Sequence, residues 1–195
     1  MAAVNLVTPG YVRSYLDRLG ALLQKLKPDE VSRVGQLLAD ARANGQQVFL
    51  CGNGGSAALA SHIAVDLGKG CSRNRPQRFR VNSLNDNVPW MTAIANDISY
   101  EDVFVEQLRN FAQAGDVLIA ISSSGNSRNV LKAVEFANQA GCETVGLSGF
   151  AGGKLKGLCK HHVLVPAEHM GLVEDGQMVV GHILLYAFMD AEGAG

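Results

Sequence analysis

Two short turns rich in serine and glycine, each directly behind an apolar strand, constrain this chain more than any other feature. Cys51-Gly52-Asn53-Gly54-Gly55-Ser56 follows Gln47-Val48-Phe49-Leu50, and Ser122-Ser123-Ser124-Gly125-Asn126-Ser127 follows Val117-Leu118-Ile119-Ala120-Ile121. Both lead into residues with helical spacing. A strand, a tight polar turn and a helix N-terminus make an anion site, because unpaired backbone N–H groups and the helix dipole point into the turn. Glycine lets the backbone come close, and serine hydroxyls add donors that rotate to suit phosphate oxygens. Two such turns in one chain point to a phosphorylated small molecule at the carboxyl edge of a parallel sheet.

The rest of the pattern agrees. Val48–Cys51, Phe79–Leu84, Val117–Ile121, Thr144–Leu147 and His162–Val165 read as short, continuously apolar strands. Helical spacing separates them, at about Ser56–Asp66, Val88–Asn96, Tyr100–Phe111, Asn126–Ala140 and Lys154–Lys160, with a last apolar helix at Val173–Met189. Strands alternating with helices predict an α/β/α sandwich of three layers around a five-stranded parallel sheet. Before them, residues 1–45 read as a helical pair. Tyr15, Leu16, Leu19, Leu22, Leu23 and Leu26 form one apolar stripe, Val31, Val34, Leu37, Leu38 and Ala41 the other, with Pro28-Asp29 restarting the helix between them. The reading is one domain over 1–195, with 46–190 as its α/β core.

At 195 residues and 47% hydrophobic content the chain can bury one sizeable core. A net charge of −1, from 17 basic and 18 acidic residues, favours neither nucleic acid nor membrane. The basic stretch Lys69, Arg73, Arg75, Arg78 and Arg80 around Phe79 reads as a solvated loop. Cys51, Cys71, Cys142 and Cys159 show no metal or redox spacing and read as reduced thiols. With no signal peptide pattern and no apolar run of about 20 residues, the expected location is cytoplasmic.

Gly52-Asn53-Gly54-Gly55-Ser56-Ala57 also fits the dinucleotide fingerprint G-x-G-x-x-G/A. The acidic residue expected ~20 positions on is absent, and a dinucleotide fold gives no reason for the second serine turn. No nucleotide cofactor is expected.

Cys51–Ser56, Asn96-Asp97, Ile121–Ser127 and Gly149–Lys154 resemble the sugar isomerase (SIS) domain, and together with His62, Asp66 and His182 they resemble its phosphoheptose isomerase branch. The resemblance implies that Ser122, Ser123, Ser124 and Ser127 hold a phosphate, and that Asn53, Gly54, Gly55, Ser56, Asn96 and Asp97 contact the sugar. It makes His182 the acid or base and Asp66 its partner, with Glu174 in the substrate site. His62, Asp66, Glu174 and His182 would then form the set that binds one zinc ion per subunit. By itself the i, i+4 spacing of His62 and Asp66 favours a surface helix pair. A lone histidine on an apolar helix is more often part of the core.

The resemblance further implies a homotetramer with sites near subunit contacts, and aldose–ketose isomerisation of sedoheptulose 7-phosphate through an enediolate. A different class keeps the turns without the chemistry: SIS modules that bind a phosphosugar in regulators, or that contact the bacterial replication initiator. Asp66 stands where the family usually has glutamate, Glu174 where it has glutamine and Gly70 where it has arginine, with Lys69 beside it. His161-His162 is expected to face solvent, and His169, just before the last helix, is a weaker candidate for the edge of the site.

Overall fold

The computed structural model describes residues 6–191; the first five and last four residues of the expected domain lie outside them. Two helices open the chain. α1 (Pro9–Leu23) starts at Thr8, whose hydroxyl accepts the Tyr11 N–H at 3.2 Å, and α2 (Pro28–Ala43) starts on Pro28 with Asp29 and Glu30 in its first turn. After them come β1 (Gln47–Cys51), α3 (Gly55–Val65), β2 (Arg80–Ser83), α4 (Val88–Asp97), α5 (Val105–Phe111), β3 (Val117–Ser122), α6 (Arg128–Gln139), β4 (Glu143–Gly149), α7 (Leu155–Leu158), β5 (His161–Val165) and α8 (Met170–Ala191).

The strands pair in the order β2-β1-β3-β4-β5, all parallel, and helices cover both faces. β3 is buried along its whole length, which is why its sequence is apolar without alternation. One core cluster lies under α1, α2, α3 and α8, and the other under α4, α5, α6 and α7. Strand order reverses between β1 and β3, so the chain leaves these neighbours toward opposite faces. The crevice opened at such a switch point is where open α/β sheets bind ligands. Both serine- and glycine-rich turns border it.

Some boundaries differ from the sequence reading. Tyr100–Asp102 is a separate 3₁₀ turn, so α5 starts only at Val105. α7 is a single turn instead of Lys154–Lys160. The first crossover helix does not stop at Asp66 but passes into a π turn, Asp66–Gly70.

Glycines let α8 lie close to its neighbours. A Cβ on Gly176 would sit 2.5 Å from Val165 Cγ1, and one on Gly181 3.2 Å from Ile63 Cδ1. These contacts set α8 beside α3, so side chains two turns apart on one helix meet side chains two turns apart on the other.

Candidate active site

Three of the four expected metal and acid–base residues converge. His62, on α3, has its Nε2 2.9 Å from Nε2 of His182 on α8 and 3.3 Å from Asp66 Oδ2. One ligand atom from each of the three lies within 4.8 Å of the other two, and all three residues are half-buried. Asp66 opens the π turn, a feature frequent at functional sites because it shifts the helix register locally. A 2.9 Å contact between two ring nitrogens holds one hydrogen, so one imidazole presents a lone pair there. Tetrahedral ligation with bonds of ~2.1 Å puts ligand atoms roughly 3.4 Å apart. Two imidazoles and a carboxylate at these separations fit a zinc ion, with a fourth position open.

Glu174 is not in that group. Eight residues before His182, it lies about 12 Å back along α8. Its exposed side chain rests over the N-terminus of α3, where Oε1 would be 2.6 Å from a Cβ on Gly55. α3 and α8 run side by side, so the two-turn offset that joins Glu174 to the start of α3 joins His182 to His62. Of the fourfold set, His62, Asp66 and His182 come together, and Glu174 lies at the first turn.

In that turn Gly54 takes a positive φ of 57°, and no side chain caps α3. Gly52 lies so close to Ser56 that a Cβ would stand 2.6 Å from the Ser56 carbonyl oxygen. Gly54 and Gly55 are exposed and Ser56 is buried. Asn53 is held by hydrogen bonds to the Tyr100 and Asn129 side chains.

In the second turn the four serines are not equivalent. Ser122 is buried, with its hydroxyl 3.1 Å from that of Ser127; Ser123 is buried and donates to Gln177 Oε1 at 3.3 Å. Ser124 is exposed and its hydroxyl accepts the Asn126 N–H. Ser127 occupies the N-cap of α6 without its side chain capping the helix, which leaves the Arg128 and Asn129 N–H groups to a ligand, while Asn129 Oδ1 holds that of Val130. Gly125, at φ 67°, carries no Cβ because one would stand 2.0 Å from the Gly152 carbonyl oxygen. Asn96 and Asp97 end α4, exposed and bonded to each other at 2.8 Å. A groove of about 310 Å³ runs beside the first turn between Asn53, Gly54, Asn85, Met91 and Tyr100; Asn96 and Asp97 do not line it.

The other histidines stand apart. His161 and His162 do not simply face solvent, since helices cover both faces of a parallel strand. His161 Nε2 lies 3.2 Å from Glu143 Oε2, and Ser148 lies 2.8 Å from His162 Nε2. Burial pushes the His162 imidazole below its usual range. His169 is exposed, its ring edge-on to Tyr15. In the basic loop, Arg78 and Arg80 donate to backbone carbonyls and Phe79 is buried. Burial raises all four thiols, Cys159 to about 12 and Cys71 and Cys142 to about 11, so none is a ready nucleophile.

The model of the SIS domain matches residues 11–149, a span that holds both turns, His62 and Asp66. The chain belongs to the SIS domain family. Similarity to curated relatives extends further: it is 43% identical over 145 residues to the phosphoheptose isomerase of a Nitratiruptor species, covering 74% of this chain and 77% of the relative. It is 35% identical over 173 residues to that of Geotalea daltonii, covering 89% of each. The solved phosphoheptose isomerase of Neisseria gonorrhoeae superposes with a TM-score of 0.85 at 27% identity, over 93% of this chain and 98% of that one. Within the SIS family the chain thus stands among the phosphoheptose isomerases.

Sequence reasoning missed several polar residues of this SIS site. Gln177 is fully buried in α8, accepts from Ser123 and donates to the Leu147 carbonyl at 3.3 Å, fixing the serine turn from below. A glutamine among Val173, Met178 and Val180 was the available signal. Tyr15 donates to Asp175 Oδ2 at 2.6 Å, fastening α1 to α8 beside Glu174. Asn129 and Tyr100 were also passed over.

Proposed function

We propose that this SIS protein is an aldose–ketose isomerase that interconverts sedoheptulose 7-phosphate and glycero-manno-heptose 7-phosphate. The observation that carries the reading is the meeting of His62, Asp66 and His182 on two helices that flank the phosphate-type turns. The names of its relatives supply the substrate.

The phosphate is held by the N–H groups that open α6 and by the hydroxyls of Ser124 and Ser127. With that end fixed, the sugar chain runs past Asn53, Gly54 and Gly55 and its carbonyl end approaches His182. Asp66 takes the proton from the carbon beside the carbonyl, which leaves an enediolate, and returns it to the neighbouring carbon. His182 gives a proton to the carbonyl oxygen and takes one from the adjacent hydroxyl, so no atom or electron is gained or lost. The hydrogen between His62 and His182 orients the catalytic imidazole. His62, Asp66 and His182 are the residues that would hold zinc, one per subunit, in place of the hydrogen shared by the two imidazoles, and its chemistry there would be to polarise the carbonyl.

The protein is read as a cytoplasmic homotetramer. Tyr11, Val12 and Leu16 on α1 and Ile183 and Tyr186 on α8 are exposed apolar side chains that further subunits would cover. Among the described residues no helix is long and apolar enough to cross a membrane.

Proton NMR with sedoheptulose 7-phosphate tests the activity. New aldose signals in ordinary water, and solvent deuterium entering the substrate in heavy water, are expected. Absence of both with folded protein would remove the isomerase reading and leave a phosphosugar-binding module.

A further inference from the structure

Tyr100, in the 3₁₀ turn between α4 and α5, donates its hydroxyl to Asn53 Oδ1 at 2.9 Å. The same oxygen accepts from Asn129 Nδ2 at 2.9 Å, and Asn53 Nδ2 answers with a bond to Asn129 Oδ1 at 2.8 Å. Asn129 Oδ1 also accepts the Val130 N–H at 3.0 Å. Asn129 lies in the first turn of α6 and is only 3% exposed. A reciprocal pair of amides therefore ties the turn after β1 to the first turn of the helix after β3. A buried amide paired at both ends with a half-buried one holds one geometry, since breaking either bond strands a polar atom of Asn129.

Charged pairs reinforce the tie from outside. Glu101 lies 3.0 Å from Arg128, and Asp102 2.6 Å from Lys132. Lys132 and the Ser99 hydroxyl together hold the Asp102 carboxyl below its usual range. The short turn Tyr100–Asp102 is thus stapled to the outer side of α6 while Tyr100 reaches over to the first turn.

The two turns joined in this way are those that would hold the phosphate, at α6, and the sugar chain running from it toward His182, at Asn53. Resting on the isomerase reading, we infer that the Asn53–Asn129–Tyr100 cluster is a positioning device that sets the length of phosphosugar the site turns over. With phosphate fixed at α6, the spacing of the turns decides which carbon reaches His182. A displacement of ~1 Å at the reacting end can cost on the order of 10²-fold in rate, so a five-carbon ketose phosphate anchored by the same phosphate falls short. Tyr100 and Asn129 act through Asn53 and are positioning residues, not catalytic ones.

The test compares kcat/KM for sedoheptulose 7-phosphate, fructose 6-phosphate and ribulose 5-phosphate in the full chain and in Tyr100→Phe and Asn129→Ala. Tyr100 is 56% exposed, so phenylalanine keeps the ring while removing one hydrogen bond. The wild type should favour the seven-carbon substrate. Tyr100→Phe should narrow the seven-to-five-carbon ratio by roughly threefold, the size of one lost hydrogen bond, and Asn129→Ala by about tenfold or more. Protection by inorganic phosphate in thermal melting should stay at the wild-type level in Tyr100→Phe.

An equal loss on all three substrates, or an unchanged ratio, would make the cluster a structural brace and overturn the inference. Should Asn129→Ala not fold, Tyr100→Phe decides alone. A wild type inactive on every ketose phosphate would instead sink the isomerase reading. The chain-length ratio is then taken from protection in thermal melting by the same three phosphates, where an unchanged ratio again overturns the inference.

Discussion

His62 Nε2 lies 2.9 Å from His182 Nε2, although 120 residues separate the two in sequence. The contact exists because Gly181 carries no side chain between α8 and Ile63 of α3, which brings the turns with these histidines face to face. One hydrogen fits between the rings, so each histidine fixes the tautomer of the other.

His182→Ala should therefore lower kcat by orders of magnitude while phosphosugar binding remains. The truncation removes the proton donor at the carbonyl oxygen and leaves the phosphate turns intact. Steady-state kinetics paired with calorimetric titration of the substrate check this. Loss of binding in parallel with kcat would mean that His182 serves the fold instead.

Zinc offers an independent readout. Metal analysis after dialysis against zinc should give about one ion per chain, falling below about half in His62→Ala and in Asp66→Asn. A ligating imidazole must be neutral and a ligating carboxylate ionised, so zinc affinity should fall in acid. Unchanged zinc content in both variants would place the ion elsewhere.

Ser124→Ala should act on binding. Its hydroxyl is exposed at the mouth of the second turn, whereas those of Ser122 and Ser123 are buried against Ser127 and Gln177. KM should rise roughly 10- to 100-fold with kcat nearly unchanged, the loss of one hydrogen bond to a charged group. Ser123→Ala, by contrast, should lower thermal stability by stranding Gln177 Oε1.

His162 gives the protein a defined acid sensitivity. Burial is the main reason its imidazole sits below the usual range, with Lys156 and Lys27 adding to it and Glu30 opposing. The unfolded chain then binds a proton more readily than the folded one. Stability from this group is complete above its unfolded value near 6.5 and is lost as pH falls through the lower folded value. Melting curves at about pH 7.5 and 5.5 should show a larger loss for the wild type than for His162→Gln; equal losses would refute it.

Much of this was legible in the sequence, for physical reasons. Strands buried on both faces announce themselves as apolar runs, and Gly54 and Gly125 mark turns where a positive φ is required. What escaped depended on tertiary contact. Spacing within α8 relates Glu174 to His182 but does not show which turn of α3 each will meet. Tyr100 looked like the start of a helix because its apolar periodicity continues into α5, yet its hydroxyl binds Asn53 and the helix begins later. Gln177 signalled only as a lone polar residue in an apolar helix, because a neutral amide leaves no charge pattern. The four serines looked alike until packing buried two of them.

Glu174 separates two roles that the family comparison leaves merged. Its carboxylate lies at the N-terminus of α3, where a negative charge answers unpaired N–H groups and the helix dipole, and it also stands beside the turn that the sugar chain of the dianionic substrate would pass. Glu174→Gln keeps the shape and removes the charge. Melting temperature at low salt should drop by about 1–3 °C, and the difference should shrink at high salt. KM for the phosphosugar should fall as repulsion is relieved, with kcat within about twofold of wild type. The contrary result is a kcat collapse in Glu174→Gln at unchanged KM, with Asp66→Asn still active. That pattern would make Glu174 the base that moves the carbon-bound proton, and would leave Asp66 solely to the histidine pair.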